Sequence, residues 1–397
     1  RDAQESRGLG DVYKRQVVDE PVMRLALGVL DKLSAGDGSG AVEDYARLFY
    51  ALRSAGSRSL GEWLDGRLRD RESPYAALAE RGGEDPALEA AARRDIETFT
   101  LLAELDWDQV LAEVGGKAPR EYGPVLANLP RWRGSSPFSF AELTEFYRAN
   151  GAGLFARHRA FLWEDGALCP VEQPDCPGAD EMLGYELQRN RVIANTRAML
   201  EGNLVNNVLL YGDSGTGKSA TVKNLLTLPG FEALRLIEVQ KEGLADLPRL
   251  IRTLGGRRLK FILFIDDLAF DQDDKTYSAL KTILEGGLER RPANVAVYAT
   301  SNRRRLVRQT FSDRAGDEVD ASETIQEKTS LSDRFGLRIP YLALNQAEFL
   351  ELVEGMAEQA GIALDRDSLR AEAVKWEMRN PGRTPRTAKQ FIASLSL

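Results

Sequence analysis

Histidine and cysteine are nearly missing from this chain, which has one His and two Cys in 397 residues. His158 leaves a histidine-based nucleophilic triad a single candidate base, and it has no second histidine with which to share a metal. Two cysteines cannot frame a disulfide scaffold, so the expected compartment is the reducing cytoplasm. Long apolar runs are missing too. The longest near the middle is Phe261-Ile262-Leu263-Phe264-Ile265, against the roughly 18 residues a membrane span needs, so no membrane partner is expected. No basic segment followed by an apolar one opens the chain, as a secretory signal would. Basic residues are outnumbered, 53 Lys+Arg against 61 Asp+Glu, for a net charge of −8. Such a chain repels nucleic acid overall, and any DNA contact needs a local basic patch.

What is present is a globular composition, 43% hydrophobic and 29% charged, at a length that fits two to three domains. Residues 1–16, RDAQESRGLGDVYKRQ, show no helical or strand period and read as a non-native or disordered tail. Residues 17–150 read as a helical N-terminal domain. Val42, Tyr45, Leu48, Phe49 and Leu52 form one helical stripe, Asp85-Pro86 opens a second helix, and Ser139 with Glu142 makes a capping box stapled by Phe138 and Leu143. Residues 151–184, rich in Pro, Gly and acid, read as a linker. Cys169 and Cys176 lie in it without the further soft ligands zinc needs, and read as ordinary thiols.

From 185 to 344 the pattern becomes α/β. The apolar segments NNVLLYG, ALRLIEVQ, KFILFIDDL, NVAVYATSN and LRIPYLAL alternate with amphipathic helices, the mark of a parallel sheet covered on both faces. Residues 345–397 read as helices alone.

The strongest motif is GDSGTGKS, which fits G-x-x-x-x-G-K-[ST] between a strand and a helix. Gly212, Gly215 and Gly217 let the backbone wrap closely around phosphate. Lys218 reaches the β- and γ-phosphates, and Ser219 offers a hydroxyl to Mg2+. Gly212, Asp213, Ser214, Gly215, Thr216, Gly217, Lys218, Ser219 and Ala220 are therefore the candidate ATP-binding set. In KFILFIDDL an apolar strand ends in two acids. Asp266 would hold Mg2+, directly or through water, and Asp267 would orient or deprotonate the attacking water. Read alone, the pair is also a solvated acidic turn. Asn302, ending the next strand, can point at the γ-phosphate or the lytic water, or simply end the strand.

Taken in order, GDSGTGKS, FILFIDDL, ATSN, LSDRFG and GRTPRTAKQF resemble the AAA+ ATPases, and within them a bacterial group of ATP-binding proteins of uncharacterised role. The resemblance is specific over about 183–397 and loose over the helical N-terminus. It implies a P-loop NTPase core, a parallel five-stranded sheet of order 5-1-4-3-2 sandwiched by helices, with a C-terminal helical lid beside the N-terminal all-α domain. It also implies that Asn302 is sensor 1, Arg334 an arginine finger, and Arg386 sensor 2. Leu183-Gly184-Tyr185 would contact adenine. Two departures matter. The acidic pair is Asp-Asp rather than Asp-Glu, which suits slow turnover because a misplacement of roughly 1 Å can cost about a hundredfold. No aromatic–Gly pore loop of the unfoldase type follows the second strand.

The leading expectation is an AAA+ ATPase, a homo-oligomer that hydrolyses Mg-ATP at a subunit interface to act on a macromolecular partner. A DNA-associated, helicase-loader-like ATPase is the first alternative, supported by the Asp-Asp pair and by Arg303, Arg304, Arg305 and Arg308. The plainer reading of those arginines is a solvated loop beside the nucleotide, offset by the acids of DRAGDEVD. A slow nucleotide-gated scaffold is the second alternative. A small-molecule kinase is disfavoured by the sensor-2-like helix. Arg131-Trp132-Arg133 is a weaker basic candidate of the same kind.

Overall fold

The computed structural model describes residues 17–269, 280, 281, 283, 284, 291–302, 331–380 and 382–395. The tail 1–16, the arginines 303–305 and 308, the acids of 313–320 and most of the helices expected near 276–288 and 322–336 lie outside the described residues. Contacts divide the chain into two units between Arg157 and His158.

The described residues of the first unit form helices and no strand, with α1 Pro21–Ala35, α2 Gly38–Ser54, α3 Leu60–Asp70, α4 Pro74–Arg81, α5 Pro86–Ala103, α6 Trp107–Lys117, α7 Gly123–Asn128, α8 Phe140–Asn150 and α9 Leu154–Arg157. Side-chain caps start most of these helices. Asp37, Ser59, Ser73, Asp85, Asp106 and Ser139 each accept a first-turn backbone N–H, which satisfies donors that the helix itself cannot. Val42, Tyr45, Leu48 and Leu52 of α2 are buried as a stripe, and Phe138 and Leu143 are buried around the start of α8. Glu142 accepts the Ser139 hydroxyl at 2.8 Å. Trp132 stacks on Tyr45 and Trp107, with ring centroids 5.1 and 5.4 Å away. The aromatic between Arg131 and Arg133 therefore packs against the core of this unit, while both arginines are exposed.

The second unit is α/β, and its sheet has seven strands rather than the five expected. The strands are β1 Ala160–Glu164, β2 Ala167–Pro170, β3 Val208–Gly212, β4 Leu234–Val239, β5 Lys260–Ile265, β6 Val295–Ser301 and β7 Leu337–Tyr341. Their spatial order is β2-β1-β4-β5-β6-β3-β7. Read from β7 inwards, the five expected strands hold the order 5-1-4-3-2 and all pair in parallel. The two extra strands come from residues expected within the linker. Asp165 and Gly166 both have positive φ, 49° and 74°, the backbone a two-residue hairpin loop demands and Asp-Gly readily supplies. β2 folds back antiparallel on β1, and β1 pairs parallel with β4 from Ala160↔Leu236 to Trp163↔Val239. The segment that follows is pinned as well, since Asn224 donates to the Pro177 carbonyl at 2.8 Å.

Packing explains why this sheet is buried. Every residue of β6, and all of β5 after Lys260, is buried. Helix α10, Glu186–Leu200, covers one face. Its Thr196 and Asn195 meet the buried Tyr298 hydroxyl at 2.8 and 2.9 Å, so that polar group stays paired. The glycine loop leads into α11, Lys218–Asn224, and α12 is Leu247–Leu254. After β7 come α13 Gln346–Gln359, α14 Arg366–Arg379 and α15 Pro385–Leu395. These three share a small core that includes Phe349, Val353, Ala373 and Phe391. Glu354 of α13 takes Arg366 and Arg370 of α14, which pull its carboxyl down to about 2. Among the described residues no helix is long and apolar enough to cross a membrane.

Phe161, in the unexpected first strand, is 1% exposed. Phe161→Ala should cost about 3–5 kcal/mol of unfolding free energy, as deletion of a core phenylalanine does. Chemical unfolding of the full chain checks this. A change within about 0.5 kcal/mol, typical of exposed positions, would return residues 160–170 to a solvated linker.

Candidate functional site

The site is built where β3 meets β7. Gly212 ends β3 with φ 136°, and a Cβ there would lie 2.1 Å from the Tyr341 carbonyl oxygen. Only glycine fits so close an approach. Asp213 continues the pairing by donating its N–H to Tyr341 O at 2.9 Å. The loop then turns back through Gly215 and Gly217, whose φ values of 78° and 90° again favour glycine. Thr216 closes the loop with a hydroxyl bond to Asp213 O at 2.8 Å.

Lys218 sits inside this turn, 6% exposed. Its ammonium donates to Gly212 O at 3.0 Å, Asp213 O at 2.7 Å and Asn302 Oδ1 at 3.0 Å. Burial lowers its pKa, while the charges of Asp213, Asp267 and Asp266 pull it back up. The three acids more than offset the charge of this one buried cation.

The acids are placed by β5 and β6. Asp266 Oδ1 accepts the hydroxyls of Ser219 at 2.6 Å and Thr300 at 2.5 Å. Asp267 adopts φ 50°, a left-handed conformation rare for a residue with a side chain. Its N–H donates to Thr300 Oγ1 at 2.9 Å. Asn302 donates its amide N–H to Asp267 Oδ1 at 2.7 Å, so one side chain bridges the ammonium and the second carboxylate. The two contacts also fix which way that amide points, because the ammonium needs its oxygen and the carboxylate its N–H.

The C-terminal helices close the site from above. Arg386 donates its backbone N–H to Gly215 O at 3.2 Å and its guanidinium to Ser214 Oγ at 3.4 Å. Leu183, Gly184 and Tyr185 line the site as well. The Tyr185 ring stacks on Tyr341, centroids 5.0 Å apart. The Tyr341 hydroxyl meets Thr221 at 2.9 Å, and burial pushes its pKa up to about 12. Together these residues enclose a cavity of about 630 Å3, within the size range of small-molecule sites.

Of the residues singled out in the sequence, the cavity brings together Ser214, Gly215, Thr216, Gly217, Lys218, Ser219, Ala220, Asp266, Asp267, Asn302 and Arg386. Gly212 and Asp213 underlie it through their contacts with Lys218. Arg334, half-buried beyond the short helical turn at 331–333, is not among its lining residues. Thr300, Arg189, Tyr341 and Lys389 line the cavity but were not picked out by motif. Thr300 stands inside the ATSN segment and Lys389 one turn beyond Arg386, which are usable signals. Arg189 and Tyr341 carry none. Among the described residues no group of three or more His, Cys, Asp or Glu is gathered as a metal cage, and both cysteines are free thiols.

Residues 156–396 match the family model described as "Protein of unknown function (DUF815)". Comparison with curated proteins finds no match. Among solved structures, the chain is similar to the Thermotoga maritima RuvB Holliday junction branch migration motor, at 17% identity and a TM-score of 0.36, over 55% of this chain and 63% of that one. A variant of the same Thermotoga maritima RuvB aligns at 15% identity and a TM-score of 0.36, over 56% and 64%. The chain thus spans a little under two thirds of the length of these proteins.

Asp267 combines left-handed backbone with a carboxylate next to another carboxylate. Asn tolerates that backbone and keeps an oxygen for the Asn302 amide, without the like charge. Asp267→Asn should raise unfolding stability by about 0.5–1 kcal/mol, as relief of strain at a functional site does. Thermal melts of the two proteins in the absence of nucleotide check it, and a destabilised variant would show that the second carboxylate is structural.

Proposed function

The chain belongs to the DUF815 family, and from that premise we propose that its cavity binds Mg-ATP and hydrolyses it, as an AAA+ ATPase acting on a macromolecular partner. One observation carries the reading: the Lys218 ammonium, the Ser219 hydroxyl and the Asp266 carboxylate converge beneath a glycine loop, with Asn302 linking the ammonium to Asp267. The donor set fits the ligand. Mg2+ takes hard oxygens, one or two from carboxylates and the rest from phosphate and water, which accords with the Asp266–Ser219 pair. The glycine loop offers backbone N–H groups to phosphate.

In this reading Lys218 exchanges its loop carbonyls for β- and γ-phosphate oxygens, a move of its flexible stem. Ser219 and Asp266 hold the metal, which when bound neutralises charge on the phosphates. Asp267 accepts a proton from the attacking water, and its bond from Asn302 aims the carboxylate. Arg386 brings positive charge from the lid to the phosphate loop. Arg334 serves the site of a neighbouring copy, which makes the working form a homo-oligomer. Asp267 is one methylene shorter than Glu, so turnover is slow. The DNA-associated alternative rests mainly on Arg303, Arg304, Arg305 and Arg308. An ATPase assay with single- and double-stranded DNA at low and high salt separates it from action on a protein, because phosphate contacts weaken steeply with salt.

Lys218→Ala should weaken Mg-ATP binding by about a hundredfold or more, since among the described residues it is the one buried cation lining the cavity. Equilibrium binding of a fluorescent ATP analogue reads this, and unchanged affinity would end the P-loop assignment. Asp267→Asn should bind Mg-ATP yet release no phosphate, because an amide cannot take a proton; near-normal turnover would move the base elsewhere.

An arginine finger supplied in trans is worth about 10³–10⁵ in rate, roughly 4–7 kcal/mol of barrier. Arg334→Ala should therefore bind ATP and be nearly inactive. Mixed with Asp267→Asn, it should recover activity, because the Asp267→Asn copy lends its Arg334 to an intact neighbour. A co-assembled mixture as inactive as its parts would show that Arg334 does not act across an interface.

A further inference from the structure

The segment that joins β7 to α13, residues 342–345, is gripped at a single peptide unit. The Tyr185 hydroxyl donates to Leu342 O at 2.6 Å, and the Asp213 carboxylate accepts the Ala343 N–H at 2.6 Å. These are the C=O and the N–H of one peptide plane, so both of its polar groups are bonded to side chains from separate loops. Tyr185 lines the cavity just before α10, and Asp213 stands in the phosphate loop itself. The next residue passes the constraint on, since Leu344 N–H donates to Arg383 O at 2.9 Å, three residues before Arg386.

We infer that Asp213 and Tyr185 are positioning residues. They clamp the Leu342–Ala343 peptide and so fix the lid, and Arg386 with it, relative to the phosphate loop. The inference rests on the ATPase reading for its effect on rate but not for the clamp itself. Two arguments support it. A connecting peptide in water is satisfied by solvent and leaves the flanking bodies free to pivot, whereas here a pivot breaks two side-chain bonds, one of them to an ionised acceptor. An acid in a phosphate loop also repels the anion the loop would bind. The bond to Ala343 gives Asp213 a use that the phosphate site does not.

The geometry makes the two residues act on one object, so their losses should not multiply. Asp213→Ala should lower kcat about tenfold and leave KM for ATP within about threefold, the split expected when a group acts only after binding. Asp213→Asn keeps an oxygen acceptor and should restore most of the rate. Tyr185→Phe keeps the stack on Tyr341 and loses only the hydroxyl. The double variant Asp213→Ala with Tyr185→Phe should be at most about twofold slower than the worse single variant.

The second readout needs no turnover. Leu187 in α10 and Met378 in α14 are 79% and 81% exposed and take spin labels as Leu187→Cys and Met378→Cys, with Cys169→Ser and Cys176→Ser. Without nucleotide, pulsed dipolar spectroscopy should give one narrow distance in the otherwise unchanged chain. It should give a clearly broadened one in the Asp213→Ala, Tyr185→Phe chain. Broadening in a protein that never hydrolyses ATP would keep the clamp and discard the ATPase reading. An unchanged distance distribution, or rate losses that multiply, would overturn the clamp.

Discussion

The second unit is organised around one buried cation. The ammonium of a lysine that is 6% exposed needs oxygens around it to stay charged inside a protein, and Lys218 has three, from two loop carbonyls and Asn302. Much of the surrounding order follows. The carbonyls of Gly212 and Asp213 face inwards only because the loop reverses at Gly215 and Gly217 with positive φ. Asn302 reaches the ammonium because β6 lies next to β3 in the sheet. The 5-1-4-3-2 order is thus what sets the tip of β6 beside the loop that follows β3.

The same adjacency places the acids. β5 pairs with β6, so Asp266 and Asp267, just beyond β5, fall against Thr300 and Asn302. Thr300 ties them together, its hydroxyl donating to Asp266 and accepting from Asp267 N–H. Asp267 is left in a strained conformation, and strain of that kind persists only where the surroundings over-determine it. The cation, the two acids and the bridging amide form one connected network.

Much of this was legible in the sequence because it is written locally. A glycine spacing, an apolar strand ending in two acids, and a strand ending in Asn302 each carry their own reason for being where they are. The order of the five strands came through resemblance, and the pairings agree with it. The hairpin of β1 and β2 was also written, in Asp165-Gly166 between short apolar runs. It was outweighed by the prolines and acids around Cys169 and Cys176, whose composition reads as a linker. Trp132 was not legible in the same way: it stands between two exposed arginines, yet its ring packs on the core of the first unit. The grip on Leu342–Ala343 was not legible. It joins residues 157 and 130 positions apart through side chains, and no period or motif marks such a contact.

The account stands or falls on whether the Lys218 cavity takes a nucleoside triphosphate with its metal. Calorimetric titration of the full chain with ATP, with and without Mg2+, measures this most directly. The account predicts one saturable site per chain, tighter with Mg2+ than without. Absence of binding at about millimolar ATP, roughly −4 kcal/mol, would contradict it.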